Sequence, residues 1–164
     1  EVAIEGYSKI FNYAWISGMR NKLGLFGEED DDFALAHSLL EWMETSKADY
    51  TRTFRNLSQD SIPDNEAYNS SEFQKWYMLW KARLKRNSIP LKASFCLMRD
   101  SNPAVIANNQ YVEEVLAIGE SGDLKPFFAL LDALKNPFKE TLSNEIYRNT
   151  TPQPDPNYKT FCGT

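Results

Sequence analysis

The sequence lacks the short motifs by which many nucleotide-binding and hydrolytic proteins are recognised. It contains no G-x-G-x-x-G run, no phosphate-binding P-loop and no G-x-S-x-G nucleophile elbow. Histidine occurs once, at His37, without the cysteine pair or carboxylate spacing that would build a zinc site. We expect His37 to be a helix-borne side chain with a hydrogen-bonded imidazole. The sequence therefore predicts no catalytic, cofactor-binding or metal-binding residue in this chain.

Long apolar runs and an excess of positive charge are also missing. No stretch approaches the ~20 apolar residues that cross a bilayer, and no signal-peptide pattern opens the chain. The net charge is −5 and the pI is about 5.0, which disfavours a nucleic-acid partner. The basic run Lys81–Arg86 is the main exception, and we expect a solvated helix face there rather than a phosphate-binding patch. We predict a cytoplasmic protein without membrane contact.

Cysteine is scarce, and its two positions differ in kind. Two cysteines are too few for a disulfide scaffold, which indicates a reducing compartment. Cys96 lies in an apolar helical pattern, where a buried structural thiol is expected. Cys162 lies third from the end, where it is either an incidental surface thiol or a group that forms a reversible disulfide. These residues alone leave the two alternatives open.

What the sequence does contain is helical periodicity with clear breaks. Apolar residues make up 42% of the chain and recur at helical spacing, and no convincing alternation of strand type occurs. Gly24 and Gly27 stop the first helix, and Asp49 is predicted to cap a shorter one. Asn-Pro pairs at Asn102 and Asn136 bound later helices, with Asn102 as the predicted cap of the helix that follows it. We predict an all-α fold, an irregular bundle of about six or seven helices over residues 1–137. Residues 138–164 are predicted to form an extended, Pro-rich C-terminal tail that ends in Cys162.

Helical spacing selects three faces, of which the second and the third are predicted to pack in the core. Spacing in the first helix selects Ile4, Tyr7, Phe11, Ala14, Gly18 and Met19. A central helix carries an aromatic stripe of Phe73, Trp76, Tyr77, Trp80 and Leu84. A later helix, capped by Asp123, is expected to bury Phe127, Phe128, Leu131 and Leu134. An alternative is a self-contained helical interaction module that binds partners through an exposed Trp76/Trp80 face.

The acidic cluster Glu28–Asp32 admits two readings. Carboxylates at a helix start complement the helix dipole, which is the reading we favour. Metal chelation by a stand-alone enzyme would need a converging histidine or carboxylate from elsewhere in the chain.

Several segments, in order, resemble the C-terminal region of the SelO/YdiU family. The matching segments are "MRNKLGL" (19–25), "ADYTRTFRNL" (48–57), "FQKWYMLWKARL" (73–84), the Asn102-Pro103 segment, "GDLKPFFALLDALKNPF" (122–138) and the closing "CGT". Each is weak alone, but the shared order is specific. Together with the first residue, Glu1 rather than Met, the resemblance indicates a piece of a longer protein.

The resemblance implies a parent protein with a kinase-like fold that transfers AMP from ATP to Ser, Thr or Tyr hydroxyls of other proteins. It implies ATP and Mg²⁺ or Mn²⁺ as cofactors of the parent, held by residues upstream of this chain. The partners implied are that upstream kinase-like portion and, through it, protein substrates. On this reading the chain is a helical scaffold with a redox tail and is not itself an enzyme.

The resemblance also bears on two single residues. The family's terminal motif places a cysteine or selenocysteine third from the end, and Cys162 matches that position. The family implies a redox role for it, through a disulfide with an upstream cysteine. Family members usually carry an Arg-Asn pair shortly after the Asn-Pro, whereas this chain has Asn108-Asn109. Any ion pair made by that arginine is therefore absent here.

Overall fold

The computed structural model describes residues 2–59 and 61–149 of the 164-residue chain. Its α-helices are α1 (Val2–Leu23), α2 (Asp32–Ser46), α3 (Tyr50–Leu57), α4 (Glu66–Asn69), α5 (Ser71–Lys85), α6 (Leu91–Ser101), α7 (Asn109–Glu120), α8 (Lys125–Lys135) and α9 (Glu145–Asn149). A 3-10 turn, Leu142–Asn144, precedes α9. The all-α prediction is confirmed, and these ranges contain no strand. The helix count exceeds the expected six or seven because α4 and α9 are single short turns.

The chain divides into two compact units. Unit 1 covers Glu1–Ala104 and contains α1 to α6, and unit 2 covers Val105–Thr164 and contains α7 to α9. This division differs from the predicted boundary after residue 137. The difference arises because Asn102-Pro103 ends α6 and is followed by a non-helical segment, whereas α8 continues into residues that pack on it.

Unit 1 is organised around a large apolar core. Helix α1 packs on α2 and α6, and α2 packs on α5. The largest fully buried apolar side chains are Trp80, Phe54, Phe73, Leu23, Leu39, Leu57 and Met98. Gly24 ends α1 at φ +70°, and a Cβ there would lie 2.9 Å from the carbonyl oxygen of Ser94. Only glycine fits this turn, since both the left-handed backbone and the close approach exclude a side chain.

Unit 2 has a much smaller core. Helices α7 and α8 pack together through Tyr111, Val115 and Leu130. The rings of Tyr111 and Tyr147 meet edge to face at 5.4 Å, and the Tyr111 hydroxyl donates to the carbonyl oxygen of Ile146 at 3.2 Å. The 3-10 turn and α9 are therefore part of the folded unit. Residues 142–149 are helical although we predicted an extended tail from Phe138, and the remainder of that tail lies outside the described residues.

Two of the faces selected by helical spacing are largely exposed in the structure. In α1, Met19 is buried, but Tyr7 is 67% and Phe11 is 53% exposed, while the side chain of Ile4 lies outside the described residues. In α8, the buried positions are Leu130 and Ala133, whereas Phe128 is 58% exposed. Of the four residues predicted for the buried face of α8, only Leu134 packs against the core of unit 2, because this helix is apolar around most of its circumference. Spacing alone then cannot select the side that packs.

Candidate functional site

The most concentrated group of charged side chains in the described residues lies at the start of α2. The carboxylate of Asp32 is fully buried and is contacted from three directions. Arg83 Nε donates to its Oδ1 at 2.7 Å, and Arg20 Nε donates to its Oδ2 at 2.7 Å. The backbone N–H of Glu29 donates to Oδ2 at 3.0 Å. This carboxylate is therefore shared between two guanidinium groups from α1 and α5.

The other donors of Arg83 are also used within the protein. Its side chain is only 2% exposed. Nη1 donates to Asn87 Oδ1 at 3.0 Å and lies 3.2 Å from Glu29 Oε1. Nη2 donates to the carbonyl oxygens of Phe26 and Gly27 at 3.2 and 3.3 Å. Arg83 thus fixes the loop between α1 and α2 to α5.

Further charged side chains surround the Asp32–Arg83 ion pair. Arg86 Nε donates to Glu29 Oε2 at 2.7 Å, and Arg86 Nη2 lies 3.4 Å from Asp31 Oδ2. Arg20 Nη1 lies 3.3 Å from Glu28 Oε2. The acidic cluster therefore mainly pairs with Arg20 of α1, Arg83 of α5 and Arg86, the C-cap of α5. It also places Asp32 in the first turn of α2. We call this group, Arg20, Glu29, Asp32, Arg83 and Arg86, the arginine–aspartate cluster.

The arginine–aspartate cluster lowers the pKa of two of its carboxyl groups, those of Asp32 and Glu29. Burial by itself raises the pKa of Asp32, but hydrogen bonds from Arg83, the Glu29 N–H and Arg20 outweigh burial, so the pKa lies below its ordinary value. The hydrogen bond from Arg86 is the main cause that lowers the pKa of Glu29, and the same bond raises the pKa of Arg86. At neutral pH these carboxylates are ionised and bound by guanidinium groups. They are therefore poor general bases.

The prediction of a solvated basic run is wrong at one position. Arg83 is buried, although Lys81 and Lys85 are exposed as expected. The sequence did indicate that Arg83 is buried, because Arg83 follows Trp76 by seven residues and Trp80 by three, which places it on the same helical stripe. An arginine on an apolar stripe needs a buried carboxylate partner.

The tryptophan pair lies in the core and not on the surface. Trp76 is 4% and Trp80 is 2% exposed. The Trp76 indole N–H donates to the Leu35 carbonyl oxygen at 2.8 Å, and that of Trp80 donates to the Leu23 carbonyl oxygen at 2.9 Å. The alternative of an interaction module with an exposed Trp76/Trp80 face loses the feature on which it depended. The core-packing interpretation of the stripe is confirmed.

A second buried polar group forms around Asn102, which was predicted to cap the helix after it. Asn102 instead ends α6, and its Nδ2 donates to the carbonyl oxygens of Lys22 and Met98 at 2.9 and 2.8 Å. Lys22 Nζ donates back to Asn102 Oδ1 at 3.1 Å and lies 5.0 Å from the Phe54 ring centroid. Burial lowers the pKa of this lysine. Asn102 thus ties the end of α1 to the end of α6.

The remaining candidate residues do not converge on a reaction centre. His37 is exposed and its Nδ1 lies 3.3 Å from Glu41 Oε1, one turn along α2. Cys96 is exposed, contrary to the buried thiol we expected, since its helix turns Ser94 and Met98 to the core instead. A groove of about 530 Å³ between α2 and α5 is lined by Trp42, Trp76, Leu79 and neighbouring hydroxyl and carboxylate side chains. Within residues 2–59 and 61–149, no three His, Cys, Asp or Glu side chains are grouped to hold a metal ion.

Comparison with known proteins relates the sequence of this chain to one family. The profile of the family described as protein adenylyltransferase SelO matches residues 1–135. The chain belongs to the SelO family. Among curated relatives, the protein nucleotidyltransferase YdiU of Alcanivorax borkumensis is 46% identical over 163 residues, and that of Nitrosococcus oceani is 40% identical over 165. These matches cover 99% and 100% of this chain but only 34% of each relative. The chain spans about a third of the length of these relatives.

Two residues singled out by the resemblance have different outcomes. Asn108, where the resemblance led us to expect an arginine, is the N-cap of α7, and its Oδ1 accepts a hydrogen bond from the backbone N–H of Gln110 at 2.9 Å. In this chain the position therefore carries a helix cap. Cys162 lies outside the described residues, so its redox role stays a prediction. Every helix in the described part of this SelO-family chain is too short or too polar to cross a membrane.

Proposed function

We propose that this chain is the C-terminal helical scaffold of a protein adenylyltransferase, which transfers AMP from ATP to Ser, Thr or Tyr hydroxyls of protein substrates. The active site would lie in an upstream, kinase-like portion, with Mg²⁺ or Mn²⁺ on the nucleotide. The match to only a third of each relative supports this division of labour. We also place the parent protein in the cytoplasm, in keeping with the low cysteine content.

The arginine–aspartate cluster is the observation that carries the scaffold role. Nucleotidyl transfer requires cationic groups that face the phosphates and a metal ion that bridges them. The guanidinium of Arg83 instead donates to Asp32, Asn87 and backbone carbonyls of the α1–α2 loop. A cation used in this way holds helices in register and is not available to a phosphate.

The activity can be tested with ATP labelled at either end. The complete polypeptide should transfer label from α-labelled ATP to a protein acceptor in the presence of Mg²⁺ or Mn²⁺, and should transfer none from γ-labelled ATP. Residues 1–164 alone should transfer neither label. Transfer of the γ-phosphate would identify a kinase and contradict the proposal, as would AMP transfer by the isolated chain.

We further propose that Cys162 forms a regulatory disulfide with a cysteine of the upstream portion. Oxidation would join the two sulfur atoms and release two protons and two electrons to an oxidant such as oxidised glutathione. Peptide mapping of the oxidised complete protein should find Cys162 joined to an upstream cysteine. A Cys162 that stays reduced under these conditions, or that pairs only with Cys96, would contradict this role.

A further inference from the structure

The first half of α1 has an apolar surface without a neighbour among the described residues. Every side chain from Tyr7 to Ala14 is exposed, over two turns of helix. Ile10 is 71% and Tyr13 is 63% exposed. The second half of the same helix buries Met19 and Leu23.

Four of these exposed residues form one continuous strip on the helix surface. Tyr7, Ile10, Phe11 and Ala14 follow one another at the spacing of a single helix face, and we call them the outer stripe of α1. The rings of Tyr7 and Phe11 stack at 6.2 Å. By helical geometry this face points away from the side on which Met19 and Leu23 enter the core.

The stripe extends toward a position where a partner could approach closely. Gly18 lies one turn beyond Ala14 on the same face, and a Cβ at Gly18 would meet no atom within 4 Å. Ser8, Lys9 and Asn12 occupy the opposite side of this half of the helix. The helix is thus amphipathic with its apolar side uncovered.

An uncovered stripe of this kind is not typical of a solvated helix. Solvent-facing helix surfaces carry charged residues, but Lys9 is the only charged residue from Tyr7 to Ala14. Short helices without tertiary contacts are marginal in water, so these turns need a packing partner. A contiguous apolar patch is the usual mark of an interface.

We propose that the outer stripe of α1 is a docking surface for the preceding part of the same polypeptide, the kinase-like portion whose presence rests on the proposed function. The relatives are about three times as long as this chain, so they contain ample polypeptide to cover it. A segment joined to the start of α1 is held near the stripe at a high effective concentration. A second copy of the chain lacks this tether and carries the same net charge of −5, which opposes association. An uncharged stripe fits an apolar, concave counter-surface.

Photo-crosslinking in the complete polypeptide tests the location of the partner. Phe11→p-benzoylphenylalanine keeps an aromatic side chain on the stripe, and Asn12→p-benzoylphenylalanine is the matched control on the opposite side. The variant at position 11 should crosslink within one molecule to residues that precede Glu1, and the control should not. Crosslinks between two copies, crosslinks confined to residues 1–164, or equal yields from both positions would overturn the proposal.

Hydrogen exchange gives an independent readout without an added probe. In the complete polypeptide, Phe11→Ala should accelerate amide exchange of residues 7–14 by roughly 30-fold, the effect expected for truncating a central interface aromatic. Lys9→Ala, the control, should leave exchange there unchanged. If residues 7–14 exchange at the same rate in both variants and in the unsubstituted complete polypeptide, the proposal of a docking surface is also overturned.

These outcomes separate the docking surface from the proposed function. Crosslinking to preceding residues without AMP transfer would leave the docking surface in place and remove the proposed activity. AMP transfer without such crosslinking would leave the activity in place and remove the docking surface.

Discussion

Unit 1 and unit 2 use buried side chains very differently. In the described residues of unit 1, fifteen apolar side chains form one buried cluster, whereas the corresponding cluster of unit 2 contains three. Unit 1 also buries the Asp32–Arg83 ion pair and Asn102, whereas the buried polar residue of unit 2 is Asn144. Removing an ion pair from water costs free energy, which the burial of apolar side chains around it must offset. Unit 1 has enough buried apolar surface to do so. Unit 2 has less, so its helices should open locally at a lower free-energy cost than those of unit 1.

Breaking the ion pair of unit 1 should have the largest effect. Asp32→Ala leaves Arg83 buried without its main carboxylate, which should lower the free energy of unfolding by about 3 to 5 kcal/mol. Urea denaturation followed by circular dichroism would measure it. Asp31→Ala is the matched control, since its side chain is 72% exposed, and should change stability by less than about 0.5 kcal/mol. Equal effects of the two substitutions would show that burial of the pair does not matter.

Acid should weaken the same pair without any substitution. The folded pKa of Asp32 lies below its unfolded value, so its contribution to stability is complete above the unfolded pKa of about 4 and is lost as pH falls through the folded pKa. Urea titrations from pH 6 to pH 2, a window chosen around that reference value, should show the loss. Asp32→Asn should show a smaller dependence over this window. An unchanged dependence in Asp32→Asn would assign acid sensitivity to other carboxylates.

Two buried asparagines allow the units to be compared directly. Asn102→Ala removes the side chain that joins α1 to α6 and should cost unit 1 about 2 to 3 kcal/mol. Asn144 is the N3 residue of the capping box whose cap is Thr141: its Oδ1 accepts from the Thr141 N–H and from Arg148 Nε, and its Nδ2 donates to the Lys139 carbonyl oxygen. Asn144→Ala should cost about 1 to 2 kcal/mol, seen in amide exchange of unit 2 only. Loss of protection across both units from Asn144→Ala would refute their independence.

Helix caps should give the smallest effects. Asp49→Ala removes the side chain that accepts from the Arg52 N–H at 2.7 Å and should destabilise unit 1 by about 1 kcal/mol. Asn108→Ala should cost unit 2 a similar amount. Because unit 2 has less buried apolar surface, the amides of α7 should exchange faster than those of α3 both before and after these substitutions. The opposite ranking would contradict the comparison of the two cores.

The sequence was a good guide where local chemistry decides the structure. The all-α fold, the stop at Gly24 and the cap at Asp49 all depend on the residues immediately around them. The aromatic stripe was also placed correctly in the core, because Trp76 and Trp80 are too large to leave exposed at helical spacing.

The sequence failed where distant parts of the chain decide. Spacing predicted an apolar face for α8 but could not select Leu130 over Phe128, since both sides of that helix are apolar. Nothing local pairs Arg83 with Asp32, which lies 51 residues away. The exposed outer stripe of α1 and the exposed Cys96 were missed for the same reason, because each depends on which neighbours pack where.

Calorimetric titration of residues 1–164 with ATP and Mg²⁺ tests the central claim most directly. If the buried charges of this chain serve only to hold its helices together, the titration should give no binding heat, while the complete polypeptide binds the nucleotide. Saturable binding of ATP by the isolated chain would contradict the account, because a nucleotide site would then exist among helices assigned here to scaffolding.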